Sequence, residues 1–155
     1  MNPLHSRWRR RRRLRGDAGN AIVEFVYLAV LLMVPLVYVL LTVFRVQSAA
    51  YSVSGAAREA GRVFATAPSA EEGADRAYVA AGIVMADTDL KLRPRELTIT
   101  CSSDPCLEPG STIEVTVEHD AQLPLLPALF GSATPSISVS SSHLEVVDRY
   151  RRGAS

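Results

Sequence analysis

Residues 19–45 read GNAIVEFVYLAVLLMVPLVYVLLTVFR, and Glu24 stands at the head of this apolar run. From Phe25 to Phe44 there are twenty residues without a charge. A helix needs roughly that many to cross about 30 Å of hydrocarbon. A carboxylate at the edge of such a segment is costly unless it finds a partner or reaches water. Glu24 therefore has either a snorkelling, interfacial role or a paired one.

The charge on either side gives the span a direction. The chain has 155 residues and a net charge of +1. Residues 1–19 hold seven arginines (Arg7, Arg9 to Arg13, Arg15) against Asp17, about +6, and the remainder is about −5. Arg-rich flanks resist translocation, so the N-terminus is expected in the cytoplasm and the C-terminal part outside it. Beyond the span Arg45, Arg58 and Arg62 are sparse and are diluted by Glu59. The arginine run contains only Trp8 as an interleaved aromatic, which disfavours nucleic-acid binding. A secretory signal has a shorter apolar core of about 7–15 residues. Ser48–Ala50 is a passable cleavage site for one, and release there would leave Glu24 without a role.

Gly19 is followed by Asn20, Ala21, Ile22, Val23 and Glu24. A cut after Gly19 makes Glu24 the fifth residue of the mature chain. Gly16 would make it the eighth, with Asp17 first. The basic leader, the Gly, the spacing to Glu24 and the uncut span together resemble the class III, type IV prepilin-like signal read by prepilin peptidases. Cleavage exposes an α-amine at Asn20, cationic or nearly so at neutral pH. The resemblance implies that Glu24 pairs with the amine of a neighbouring subunit, so that neither charge is buried alone and register is set.

The stretch beyond the span narrows the likeness. Gly19, Glu24 and Phe25, then Pro35 inside the span, then Ala56, Ala57, Arg58, Glu59, Ala60, Gly61 and Arg62 resemble the TadE-like family. Its members are pseudopilins or minor pilins of tight-adherence (Flp) pilus systems. The resemblance covers about residues 16–67 and does not separate the TadE and TadF branches. It implies a pilin-like fold and a place in the cytoplasmic (inner) membrane or a surface pilus. It also implies three kinds of partner: prepilin peptidase, other pilins and the assembly platform. The alternative is an uncleaved, signal-anchored membrane protein whose outer domain binds a partner.

The expected organisation is a basic leader over 1–19, a transmembrane helix over 20–45, an amphipathic extension over 46–67 and an extracytoplasmic α+β domain over 68–155. Val46, Ala49, Ala50, Val53, Ala57, Ala60, Val63, Phe64 and Ala67 recur at helical steps. That face packs on the chain's own sheet, on neighbouring subunits, or on both. Pro35 removes an N–H and crowds the preceding turn, so a kink is expected near Leu31 to Pro35. After Pro68 and Ser69 a second helix is expected over 70–86, with Ala74, Ala77, Tyr78, Ala81 and Met85 on one side.

The period then changes to two. Leu97, Ile99 and Cys101, then Ile113, Val115 and Val117, then Ile137 and Val139 alternate as in half-buried strands. Leu144, Val146 and Val147 are expected to form a fourth strand or an extension. Strands after helices predict α+β, with an antiparallel sheet covered on one face by the long helix. The stretch QLPLLPALFG, residues 122–131, carries Pro124 and Pro127 and reads as a loop capping the sheet or as a docking patch. Cys101 and Cys106 bracket a short loop and are expected to oxidise outside the cytoplasm. His119 and His143 lack the spacing of a zinc site, so no metal is expected. No G-x-S-x-G, H-E-x-x-H or phosphate-cradling loop appears, so neither enzyme chemistry nor a cofactor is expected.

Overall fold

The computed structural model describes residues 6–122 and 136–150, with side chains from residue 20 onward. Two helices, α1 (Ser6–Ala65) and α2 (Ala70–Ala86), precede three strands, β1 (Leu97–Cys101), β2 (Thr112–Gln122) and β3 (Ser136–Val146). A 3-10 turn at Pro94–Glu96 leads into β1. Residues up to Leu41 form one compact unit and those from Thr42 onward a second.

The first unit is the helical segment itself. Helix α1 already includes the basic segment and runs through Pro35. From Phe25 to Leu41 its side chains are uncharged and, apart from the half-buried Tyr38, outward on every side, with Phe25 and Leu32 each 72% exposed. A helix that is hydrophobic all round needs an apolar surrounding. Within Asn20–Ala65 lies a stretch long and apolar enough to cross a membrane, near the N-terminus, and no part of that stretch is buried in the protein. The kink expected at Pro35 does not interrupt the helix, although the proline leaves the Leu31 carbonyl without an amide donor four residues on.

The second unit is an α+β sandwich. The sheet has the order β1-β2-β3 and is antiparallel throughout. Leu97 pairs with Val117 and Cys101 with Ile113 on one side of β2, while Val115 pairs with His143 and His119 with Val139 on the other. The odd-numbered side chains of all three strands share the face that meets the helices. Ile113, Val115 and Val117 are buried there against Val53, Ala56, Ala57, Ala60 and Phe64 of α1 and Ala77, Ala81 and Met85 of α2. Small residues dominate the helical side, which brings the helix axes close to the sheet. At Gly61 a Cβ would lie only 3.4 Å from His143 Cδ2 and 3.7 Å from Val115 Cγ2.

The helices end as their sequences dictate. The Thr66 hydroxyl donates to the carbonyls of Arg62 and Val63, both at 3.1 Å, where α1 stops before Pro68. Ser69 caps α2, its Oγ accepting from Glu72 N at 3.3 Å, and Glu71 and Glu72 lie in the first turn, where acids favour the helix dipole. At the far end Thr88 Oγ1 donates to Ser52 Oγ at 2.9 Å and so ties α2 back to α1.

Several expectations need correction. Ala50 and Ala74 are exposed, and Gly73 takes the buried place on α2 in line with Ala77, Ala81 and Met85. Four-residue steps put those positions on one ridge, from which Ala74 is displaced by a single residue. Of the two expectations for Leu144 and Val146, the extension is the one found: both complete β3. The even positions of β3 face away from the helices, so both are exposed, while Val147 beyond the strand is buried. Residues 123–131, which contain Pro124 and Pro127, lie outside the described residues.

Candidate processing and assembly segment

Gly19, Asn20, Glu24 and Phe25 lie in successive turns of α1. Four residues separate Asn20 from Glu24, a rise of about 6 Å with both on one side of the helix. Helical side chains lean toward the N-terminus, which brings the Glu24 carboxylate back toward the Asn20 turn. Glu24 is exposed and makes no hydrogen bond or ion pair among the described residues. If the chain were cut after Gly19, Asn20 would open the helix and Glu24 would sit at its positive end. An acid there is stabilised by the helix dipole as well as by an amine. The uncut helix supplies neither effect at that position.

In the second unit, α1 turns Tyr51, Arg58 and Arg62 to solvent and Val53, Ala57, Ala60 and Phe64 to the core. Arg62 Nε donates to Glu59 Oε2 at 3.0 Å, and its other nitrogen reaches Glu59 Oε1. Hydrogen bonding to Arg62 draws the Glu59 carboxyl below its ordinary range, and Glu59 in turn raises Arg62. Both groups are solvated, so the pair contributes little to stability. On α2, Arg76 and Glu72 form a similar ion pair one turn apart.

Among the described residues, the histidines of the sheet lie in separate pairs with nearby glutamates. His119 Nδ1 lies 3.3 Å from Glu96 Oε1 without a hydrogen-bonding approach, while Glu96 Oε2 accepts from Arg93 N at 2.7 Å. His143 Nε2 lies 3.3 Å from Glu145 Oε2. The register sets these two histidines four residues apart along the strands, about 13 Å. Among the described residues no group of three His, Cys, Asp or Glu side chains could hold a metal ion. Cys101 and Cys106 are joined as a disulfide with their Cα atoms 5.3 Å apart, within the normal range for such a bond. The bond closes the turn between β1 and β2, far in sequence from Gly19 and Glu24.

The outer face of the sheet is the feature that the sequence reading passed over. Glu114, Glu118 and Asp120 project from β2, with Ser140 and Ser138 beside Glu118 and Asp120 and with Thr100 and Leu144 beside Glu114. Thr116 Oγ1 and Ser142 Oγ are hydrogen-bonded across the strands at 2.7 Å. Counting parity along β3 from Val139 would have placed Leu144 and Val146 on this face. Comparison of the chain with protein-family models, with curated proteins and with solved structures yields no match. The TadE-like resemblance therefore stands on the residues of the 16–67 stretch alone.

Proposed function

We propose that the chain is a prepilin-type subunit, cleaved after Gly19 by a prepilin peptidase and assembled through its N-terminal helix as a minor pilin or pseudopilin of a tight-adherence pilus system. The observation that carries this reading is the five-residue placement of Glu24 after Gly19 at the head of an unburied apolar helix. The N-terminus lies in the cytoplasm, held by the arginine leader, and the sandwich lies on the other side. The leader is removed at the cytoplasmic face of the membrane. Glu24 then pairs with the new amine of a neighbouring copy, and each misregistered neighbour leaves two charges uncompensated in low dielectric. The continuity of α1 from the apolar segment into the sandwich supports the reading, because it couples a membrane-resident helix to an outer domain.

N-terminal sequencing and intact mass of the protein from membranes, with and without a co-expressed peptidase, test the reading. A peptidase-dependent start at Asn20 is expected. A start at Met1 under both conditions identifies a signal-anchored protein, and a start at Tyr51 means that the span was only a signal.

A further inference from the structure

Two surfaces of the second unit complement each other but face in different directions, so they cannot meet within one copy. The first is a stripe on α1. Tyr51 is 80% exposed, and Arg58 and Arg62 follow it at seven and eleven residues, spacings that keep all three on one line of the helix. Ser54 lies between Tyr51 and Arg58 and is small, while Gly55 is turned toward Val84 of α2. Arg58 makes no hydrogen bond or ion pair among the described residues. Arg62 is paired with the solvated Glu59, and Glu145 adds a weaker attraction.

The second surface is the outer face of the sheet. Its outward positions hold Glu114, Glu118 and Asp120 and no lysine or arginine. Beside Glu114 in the register stands Leu144, 63% exposed, with Val146 at 55% two residues on. The face thus has the acidic pair Glu118 and Asp120 at one end and the apolar Leu144 and Val146, with Glu114 beside them, at the other, joined by the short hydroxyl pair of Thr116 and Ser142.

We propose that a second copy of this chain docks its α1 stripe on this face, with Arg62 over Asp120, Arg58 over Glu118 and Tyr51 against Leu144 and Val146. The spacings agree. Arg58 and Arg62 are about 6 Å apart along the helix, and Glu118 and Asp120 about 7 Å apart along the strand. Tyr51 lies about 10 Å from Arg58, and the Leu144 row about 13 Å from the Glu118 row, a gap that the long tyrosine and arginine side chains span. The order of the anchors is the same on both surfaces. Charge meets charge at one end and ring meets aliphatic side chain at the other, which gives the contact a direction.

The two surfaces differ, so the contact is heterologous. Each docked copy leaves a free stripe at one end of the assembly and a free sheet face at the other, and copies add head to tail. The contact rests on two solvated ion pairs and one ring contact, so it is effective only between copies held at high local concentration. Membrane anchoring through α1 supplies that confinement. In this respect the docking rests on the assembly reading above, and it names the partner of the outer domain: another copy of the chain.

The test uses the full chain in membranes with the peptidase present. Ser54→Cys is placed in one tagged copy and Ser142→Cys in a second, and a short bismaleimide is added; the native cysteines are already joined. Cross-linking between the two tags is expected. Adding Glu118→Lys with Asp120→Lys to the Ser142→Cys copy should lower the yield about tenfold, as should Arg58→Glu with Arg62→Glu in the Ser54→Cys copy. Combining the two reversed copies should restore it, which a folding defect cannot do. Absence of the wild-type cross-link, indifference to charge reversal, or failure of the swap to restore the yield would each overturn the docking. N-terminal sequencing of the same membranes separates the two ideas. An Asn20 start without a cross-link leaves processing intact and removes this interface. A cross-link on chains that start at Met1 keeps the interface and removes the prepilin reading.

Discussion

Gly61 and Gly73 give opposite expectations for the same substitution. Glycine in a helix interior costs about 1 kcal/mol relative to alanine, so either change to alanine gains helix propensity. At Gly61 the added Cβ meets His143 Cδ2 at 3.4 Å, Glu145 Cβ at 3.6 Å and Val115 Cγ2 at 3.7 Å, which is ordinary contact. Gly61→Ala should therefore keep most of the gain and stabilise the sandwich by about 0.5–1 kcal/mol. At Gly73 the Cβ would stand 3.1 Å from Phe64 Cδ2 and 3.2 Å from Ala67 Cβ. The second contact is fixed to the backbone just past the end of α1 and has no rotamer to give. Overpacking of about 1–3 kcal/mol then offsets the propensity gain, and Gly73→Ala should be neutral to about 2 kcal/mol destabilising. Native-state amide exchange of Thr112–Gln122 in the full chain, in detergent micelles, reads the difference. Exchange of these central-strand amides should slow about two- to fivefold in Gly61→Ala, and in Gly73→Ala it should be unchanged or faster. Faster exchange in Gly61→Ala would refute the packing of α1 on β2 and β3 described here.

Gly19→Val should block processing, because a branched side chain replaces hydrogen at the scissile position; an intact mass that still matches a start at Asn20 would remove that site. Glu24→Ala should leave cleavage and membrane insertion largely unchanged while reducing recovery of the protein with sheared pili, and normal recovery would end the register role. Replacing Cys101 and Cys106 together by alanine should cost about 2 kcal/mol at most, since the closed loop is short. A global loss of protection in β2 amides would contradict that local role. Glu59 should titrate below the ordinary glutamate range in a carboxyl NMR titration and move back up in Arg62→Ala. The sign follows from the lowered value in the folded protein. The small stability from this pair is present above the unfolded pKa and disappears as the pH falls through the folded one.

The elements of this protein were legible in its sequence to different degrees. The apolar span was plain, because twenty uncharged residues depend on no other part of the chain. The second helix was equally local, since Ser69 caps it by a hydrogen bond to its own third residue. The alternation of β2 was clear for the same reason: Ile113, Val115 and Val117 carry their period within a few residues. The spacing from Gly19 to Glu24 was legible as a pattern, and the processing proposed for it needs only helix geometry and charge.

What the sequence left open was which face meets which. Ala50 and Ala74 are apolar and lie at helical steps from core residues, and periodicity alone placed them in the core. Their exposure follows from where α1 and α2 cross the sheet, which depends on small residues such as Gly61 and Gly73 allowing close approach. The acidic outer face has the same origin. Glu114, Glu118 and Asp120 are scattered solvated charges in the sequence, and they form one surface only because the helices cover the opposite side of β2. The sequence by itself thus determined the span, the direction of its flanking charge and the elements that follow. Tertiary packing alone decided the two surfaces, because burial depends on contacts between residues as distant in the chain as Gly61 and His143.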